Sequence, residues 1–183
     1  MDENEYIEMF KNFKDKKCVF IHYPEETIKY IVPAIGCPDK VVSWVYNSNI
    51  PKQHRMISWY NCAPDLSRIK QPYKNLKDKR ILKQIAEGSK GTDIYDWWEI
   101  DLVKNVSSDK TEYTNQIPEE LIRRIIMTTA NKDDIIVDPF CGSGTTCAVA
   151  QKLEYNWIGL DVSKKAIKIA EKRMKPLINN LFC

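Results

Sequence analysis

Nine consecutive residues have the composition of a ligand-binding turn: Asp138-Pro139-Phe140-Cys141-Gly142-Ser143-Gly144-Thr145-Thr146. The apolar run 135–137 precedes them, a helix-like segment follows to position 153, and a second apolar run, 157–160, ends at Asp161. Strand, glycine turn, helix, strand and acid, in that order, make up a nucleoside-binding βαβ unit. Glycines let the backbone approach a ligand closely, and a carboxylate can accept hydrogen bonds from both hydroxyls of a ribose.

Three classes of ligand compete for such a unit. A triphosphate loop would need Gly-Lys-Ser/Thr closing the turn, whereas Thr145 and Thr146 follow Gly144 here. A dinucleotide site prefers a third small residue at position 147, where Cys147 is acceptable, so that alternative stays open. S-adenosylmethionine carries a ribose and an adenine but no phosphate, and a turn without phosphate-specific residues suits it better. A turn that binds nothing is the remaining alternative.

The same residues carry a resemblance to a known family. DPFCGSGTT followed by WIGLD resembles the cofactor motif of the amino-group DNA methyltransferases, which modify adenine N6 or cytosine N4. The chain is similar to the permuted subgroup, in which the cofactor loop lies near the C-terminus. Residues 113–121 resemble that subgroup's HPTQKP segment and its helix, although Tyr113 replaces His and Ile117 replaces Lys. The run 41–45 followed by Asn47 resembles its I-x-W-x-K-N strand.

The resemblance implies an α/β, Rossmann-like S-adenosylmethionine-dependent methyltransferase fold, in a single domain over residues 1–183 with a basic insertion at about 61–95. It also implies S-adenosylmethionine as the cofactor and DNA as a partner. The expected cofactor-binding residues are Asp138, Pro139, Phe140, Cys141, Gly142, Ser143, Gly144, Thr145, Thr146 and Asp161, with Asn115, Gln116 and Pro118 from the upstream segment.

Composition is compatible with that interpretation. A chain of 183 residues can bury one core, and 43% hydrophobic residues indicate a globular protein. A formal net charge of +3 permits a nucleic-acid partner without requiring one. The six cysteines form no CxxC pair and no Cys/His cluster, so we expect no metal site and reduced thiols, with Cys141 as a small apolar filler. Because the N-terminus is acidic and the sequence contains no long apolar segment, we expect a cytoplasmic protein that does not associate with a membrane.

A strongly basic stretch lies between Arg68 and Lys90, where eight basic residues face two acids and give a charge of +6. It reads as a loop with a short helix, either a solvated surface or one that tracks DNA phosphates. The candidate DNA-binding residues are Arg68, Lys70, Lys74, Lys77, Lys79 and Arg80, together with Arg55 from the loop before a predicted strand. The last helix is also basic, and a solvated face is the better interpretation there.

Hydrophobic spacing predicts alternating helices and strands, and hence a parallel or mixed sheet covered on both faces. Helices are predicted at 6–13, 25–35, 117–129, 145–153 and 164–174, and strands at 18–21, 41–46, 56–60, 135–137 and 157–160. His22 follows a buried strand, where a hydrogen-bonded structural histidine is expected rather than a catalytic base.

One motif of the resembled family is absent from these 183 residues: the tetrapeptide Asp/Asn/Ser-Pro-Pro-Tyr/Phe. An exocyclic amine conjugated to a base is a poor nucleophile, and acceptors on its hydrogens direct its lone pair toward the methyl group, while the aromatic residue stacks on the flipped base. The chain resembles the part that follows this tetrapeptide. The catalytic residues are therefore unknown. We expect an incomplete sheet, which would be completed by a strand from a second chain or would lead to self-association.

The sequence thus predicts an S-adenosylmethionine-dependent DNA methyltransferase of a modification or restriction-modification system, whose catalytic motif comes from another chain. Two alternatives stay open. One is a catalytically inactive binding subunit or remnant that keeps the fold, and the other is a nicotinamide-dependent oxidoreductase, because Gly142, Gly144 and Asp161 would also suit a dinucleotide.

Overall fold

The computed structural model describes residues 2–48, 51–103 and 110–179. The chain forms two compact units, one of Met1–Val45 and His54–Trp98 and the other of Tyr46–Gln53 and Glu99–Cys183. Among the described residues, no helix has the length and apolar character needed to cross a membrane.

The first unit is a four-stranded sheet with helices from its N-terminal part. Its elements are α1 (Glu3–Lys11), β1 (Cys18–His22), α2 (Pro24–Glu26), a π-helical turn (Thr27–Ile31), α3 (Val32–Ile35), β2 (Lys40–Val45), β3 (His54–Tyr60), β4 (Lys70–Gln71), α4 (Lys79–Ala86), β5 (Thr92–Asp93) and β6 (Trp97–Glu99). The sheet order is β1-β3-β2-β6, with β3 antiparallel to both β1 and β2, while β4 and β5 form a separate antiparallel pair.

Aromatic side chains fill the core of this unit on both faces of β3. Ile57, Ser58, Trp59 and Tyr60 are all buried, as expected for a central strand covered on both sides. The ring of Trp59 meets that of Trp98 edge-on, with centroids 6.2 Å apart and an angle of 81° between the planes. Such edge-to-face pairs add to the free energy gained by burying the rings.

His22 is a structural residue, as predicted. Its Nε2 lies 2.9 Å from the Ser58 hydroxyl and its Nδ1 lies 2.6 Å from the Thr27 hydroxyl, and all three residues are buried. Burial lowers the pKa of His22 below its ordinary value, because the charged imidazolium is disfavoured away from water. Both ring nitrogens are therefore occupied by structural hydrogen bonds.

The second unit is a parallel strand pair covered by helices. Its elements are α5 (Glu119–Thr129), β7 (Ile135–Asp138), α6 (Thr145–Lys152), β8 (Asn156–Gly159) and α7 (Lys164–Asn179). β7 and β8 run parallel, with Ile135 opposite Asn156 and Asp138 opposite Gly159, and α6 forms the crossover between them. This is the βαβ unit predicted from the sequence.

In the part of the chain that the structure describes, helices cover one face of the β7–β8 pair. Cys141, Cys147, Ala148 and Met174 are buried there and pack with Trp157 of β8. On the opposite face, half of the surface of several apolar side chains is exposed: Ile135 (56%), Val137 (55%), Ile158 (48%) and Leu160 (56%). The expected coverage of both faces is therefore not found for this pair within the described residues, and an apolar surface is exposed beside residues 135–137.

Two predicted helices differ from those observed for local reasons. The first begins at Glu3 rather than residue 6, because Asp2 accepts a hydrogen bond from the Glu5 amide and the Glu5 carboxylate accepts one from the Asp2 amide. The segment predicted as one helix over 25–35 contains a π-helical turn before Pro33, which has no N–H to continue the α-helical pattern.

Candidate functional site

The glycine turn is fixed to the ends of both parallel strands. The Leu160 amide donates to the Asp138 carbonyl at 2.9 Å, and the Cys141 amide donates to the Leu160 carbonyl at 2.8 Å. The Asp138 carboxylate accepts from the Phe140 amide at 3.0 Å. These bonds place the turn at the carboxyl edge of the sheet, where open α/β sheets bind their ligands.

Asp161 holds the turn closed from the end of β8. One carboxylate oxygen accepts from the Gly142 amide at 2.9 Å, and the other accepts from the Ser163 amide at 2.8 Å. A carboxylate oxygen has two acceptor positions, so each can still take a hydrogen bond from a ligand hydroxyl. The residue predicted to bind ribose thus also positions the turn, which the sequence did not indicate.

The glycines of the turn are required by packing within the chain. Gly142 has φ of +51°, and a Cβ there would lie 3.1 Å from the ring of Tyr113. Gly144 has φ of +73°, and a Cβ there would lie 2.8 Å from the Cβ of Ala170 in α7. L-residues rarely adopt such backbone angles, so both positions favour glycine before any ligand is considered.

The segment before α5 reaches the turn through Tyr113, a residue outside the predicted cofactor-binding set. The ring of Tyr113 lies against Gly142. Of the predicted cofactor-binding residues in this segment, Gln116 is buried, and its Oε1 accepts from the amide and hydroxyl of Thr111, both at 2.8 Å. Pro118 is buried at the start of α5, and Asn115 is exposed. The sequence feature that could have pointed to Tyr113 is its position, since it stands where the resembled family has His.

The remaining turn residues divide into buried and accessible ones. Ser143 and Thr145 are almost fully buried, with their hydroxyls 3.3 Å apart. Phe140 has 57% of its surface exposed, and Pro139 and Thr146 are partly buried. Phe140 is therefore the large apolar side chain that the turn presents to solvent.

Arg173 connects this turn to two helices. Its guanidinium donates to the Thr145 hydroxyl at 2.9 Å, to the Ser143 carbonyl at 3.5 Å, and to Glu119 at 2.7 Å. Only 8% of the Arg173 side chain is exposed. The interpretation of the last helix as a solvated basic face is therefore wrong for Arg173, because three acceptors compensate the burial of its charge.

Glu119, at the start of α5, completes this network. Its second carboxylate oxygen accepts from Lys152 at 2.5 Å. Burial alone would raise the pKa of Glu119, but the hydrogen bonds from Lys152 and Arg173 outweigh that effect and hold the pKa below its ordinary value. The carboxylate is charged at neutral pH and ties α5, α6 and α7 together.

Cys141 and Cys147 are buried fillers. Burial raises the pKa of both thiols, that of Cys147 to about 12, so both are protonated at neutral pH. The Sγ of Cys147 packs where Gly159 has no side chain, since a Cβ there would lie 2.5 Å away. The expectation that Cys141 is an apolar filler is confirmed. Within the described ranges, no three metal-ligating side chains group together.

The candidate DNA-binding residues belong to the first unit and differ in exposure. Arg55 is partly buried, with its guanidinium 4.8 Å from the ring centroid of Tyr23 and 5.5 Å from that of Trp44. This packing makes Arg55 a structural cation, and its phosphate contact stays a prediction.

In the basic stretch, several charges are already paired. Arg68 pairs with Asp65 at 3.4 Å, Lys70 with Asp93, and Arg80 with Asp78 at 2.9 Å. Lys77 and Lys79 are exposed and form no ion pair with any described residue, and Lys74 lies over two aromatic rings. The charge available to a ligand is therefore smaller than the sequence sum of +6.

Comparison with known proteins gives the family of the chain. A family described as DNA methylase, N6_N4_Mtase, matches residues 3–172. The chain belongs to this DNA methylase family. It is similar to the Type II methyltransferase M2.DpnII of Streptococcus pneumoniae, with 38% identity over 95 residues, and to M.BglII of Bacillus subtilis, with 30% identity over 146 residues.

These alignments cover the family members unequally. They include 52% and 74% of this chain, but only 34% and 41% of M2.DpnII and M.BglII, so the chain spans well under half the length of these relatives. This chain is also similar to the crystal structure of the M1.HpyAVI–SAM complex, with a TM-score of 0.66 and 21% sequence identity. The match covers 94% of this chain and 83% of the M1.HpyAVI chain. The predicted methyltransferase fold of this DNA methylase family member is confirmed.

The network around Arg173 leads to a prediction about stability. Replacing Arg173 by Ala leaves Glu119 with one cationic partner and removes the donors to Ser143 and Thr145. We expect the free energy of unfolding to fall by roughly 2–4 kcal/mol, below the range for a fully buried pair because Glu119 keeps 22% of its side chain exposed. Urea unfolding monitored by circular dichroism measures the change.

The matched control is Lys172→Ala, which removes a neighbouring charge of α7 whose side chain is 84% exposed and lies 3.7 Å from Glu112. An exposed pair of this kind contributes about 0–1 kcal/mol. Equal losses for the two variants would show that Arg173 has no special structural role.

Proposed function

We propose that the chain binds S-adenosylmethionine at the glycine turn and serves in methyl transfer to adenine N6 or cytosine N4 of DNA. The observation that carries the proposal is the hydrogen bonding of the turn itself. The amides of Phe140, Cys141, Gly142 and Gly144 all donate to acceptors within the chain. Amides used in this way cannot cradle a phosphate, which favours a nucleoside ligand without one.

The residues present fit this cofactor. Asp161 keeps free acceptor positions for two ribose hydroxyls, and the exposed ring of Phe140 offers an apolar surface for the adenine. S-adenosylmethionine supplies an electrophilic methyl group when it is bound. That M1.HpyAVI was solved with SAM supports the same assignment, and the names of the Type II relatives support a role in a modification or restriction-modification system.

The catalytic groups lie outside these 183 residues in this proposal. No Asp/Asn/Ser-Pro-Pro-aromatic tetrapeptide occurs in the 183 residues. Among the described strands, β7 pairs with β8 alone, and it carries Ile135 and Val137 half-exposed. A partner strand added to the free edge of β7 would satisfy its backbone groups and cover these side chains.

Asp161→Ala tests the cofactor site. Charged hydrogen bonds contribute about 1.5–3 kcal/mol each, so loss of this acceptor should weaken S-adenosylmethionine binding roughly ten- to a hundredfold. Isothermal titration calorimetry with S-adenosylmethionine, and separately with NAD, measures the affinity and distinguishes a methyltransferase from an oxidoreductase. Asp133→Ala, an exposed carboxylate before β7, is the control. An unchanged affinity of the Asp161 variant would remove this residue from the site.

Replacing Lys77, Lys79 and Arg80 by Ala tests the DNA contact. Each duplex phosphate neutralised by the protein contributes about −0.9 to the slope of log affinity against log salt concentration. We expect a flatter slope for this triple variant, measured by fluorescence anisotropy of labelled duplex DNA. The control variant removes Lys14, Lys16 and Lys17, which are also exposed in the first unit. If both triple variants keep the parent slope, the basic stretch is a solvated loop.

The missing tetrapeptide predicts that the chain alone transfers no methyl groups to DNA, even with cofactor bound. Without acceptors on the amine the nucleophile is not activated, and the loss of one such electrostatic group commonly costs about 10²- to 10³-fold in rate. A radiolabelled methyl-transfer assay on unmethylated DNA measures this directly. Robust turnover by a verified monomer would contradict the prediction. The first residues to test would then be Tyr23 and Pro24, an aromatic residue next to a proline and one of the nearest approximations to the tetrapeptide in this sequence.

The same proposal predicts association through the exposed face. Ile135→Lys should weaken association of the chain with a copy or partner, because a lysine at this position opposes burial of the β7 face. Sedimentation velocity over a concentration series measures the association. Ile28→Lys is the matched control, since Ile28 is 76% exposed in the first unit. Association that survives the Ile135 change unaltered would exclude this surface.

A further inference from the structure

Two large aromatic residues of the first unit are exposed side by side. Tyr95 and Trp97 keep 40% and 43% of their surface accessible. Their rings are stacked, with centroids 6.4 Å apart and planes at 21°. The ammonium of Lys74 lies 4.7 Å from the Trp97 ring centroid and 5.6 Å from that of Tyr95. These three residues form what we call the aromatic platform.

The neighbouring tryptophan explains why the platform faces outward. Trp98 is 1% exposed, and its indole N–H donates to the Tyr95 carbonyl at 2.9 Å. Successive side chains of a strand point to opposite faces, so burying Trp98 directs Trp97 to the other side. The platform is therefore held by a buried anchor, and its exposure follows from the register of β6.

The charge of Lys74 is not cancelled by a carboxylate. No described acid pairs with it, and the acids on either side of Tyr95 in the sequence, Asp93 and Asp96, are paired with Lys70 and Lys40. Lys29 gives a contrast within the same unit: it lies 5.0 Å from the centroid of the Tyr30 ring but is neutralised by Glu3. Lys74 thus combines an uncompensated cation with an aromatic surface, inside the basic stretch.

We propose that the aromatic platform binds an unstacked nucleotide of DNA, with Trp97 stacking on the base and Lys74 neutralising an adjoining phosphate. Every base has a π-face that can stack on an aromatic side chain, and the adjacent cation matches the phosphate that each nucleotide carries. Charge complementarity favours DNA over an apolar protein partner. This inference rests on the proposed function only for the choice of DNA as ligand.

Fluorescence can follow Trp97 because the other tryptophans are less accessible. Trp44, Trp59 and Trp98 are at most 1% exposed, and Trp157 is partly buried. The full chain is titrated with a duplex oligonucleotide that contains one unpaired base. We expect DNA binding to quench the tryptophan emission and to protect Trp97 from quenching by acrylamide. Both effects should be absent in the Trp97→Phe variant.

Affinities of matched variants separate stacking from charge. Trp97→Ala should weaken binding to the unpaired-base duplex roughly 5- to 100-fold, as expected for loss of one base–aromatic stack, while Trp97→Phe should keep most of the affinity. Lys74→Ala should reduce the salt slope by about 0.9, and Lys29→Ala should leave it unchanged.

Several outcomes would overturn this inference without touching the cofactor assignment. They are equal affinity of Trp97→Ala and the parent, Trp97 emission unaffected by saturating DNA, and no DNA binding at all. Concentration-dependent protection of Trp97 without DNA would instead assign the platform to contact between copies. Calorimetry with S-adenosylmethionine on the same samples reports on the cofactor site, so failure of that site is distinguished from failure of the platform.

Discussion

The second unit depends on a single buried cation. Arg173 reaches from α7 to the carbonyl and hydroxyl of the glycine turn and to Glu119 at the start of α5, and Glu119 in turn binds Lys152 at the end of α6. A guanidinium suits this position because its donors are fixed in a plane and cannot be lost by deprotonation. The network of Arg173, Glu119 and Lys152 thus links the turn to three helices, while Phe140 of the turn stays exposed to solvent.

The β7–β8 pair leaves an apolar face exposed to solvent. A parallel strand pair is normally buried on both faces, yet here one face leaves Ile135, Val137, Ile158 and Leu160 about half exposed. Exposed apolar surfaces of this kind are in general a mark of interaction sites, which is the basis for the proposed association through this face. The same strand leads directly into Asp138 and the glycine turn, so a segment that covered this face would also lie near the proposed cofactor site.

The first unit shows how one strand can serve the core and the surface together. Burial of Trp98 against Trp59 anchors β6, and the alternation of side chains then turns Trp97 outward. Arg55 differs from Trp97, because most of its side chain packs inside the first unit. Its contact with a DNA phosphate stays a prediction, but its guanidinium packs against the rings of Tyr23 and Trp44 and is only partly exposed. Exposure of a charged residue depends on neighbours that are distant in sequence, so composition alone could not separate these cases.

The sequence by itself determined the βαβ unit, the glycine turn, the acid after β8 and the membership of an α/β methyltransferase fold. These features are local: turn chemistry, apolar runs and spacing act over a few residues and leave a direct pattern in the chain. Only the tertiary structure decided that Gly144 makes room for Ala170, that Tyr113 lies against Gly142, and that Arg173 is buried among three acceptors. Each of these contacts joins positions more than 25 residues apart, and no local pattern reports which distant side chain will fill a given space.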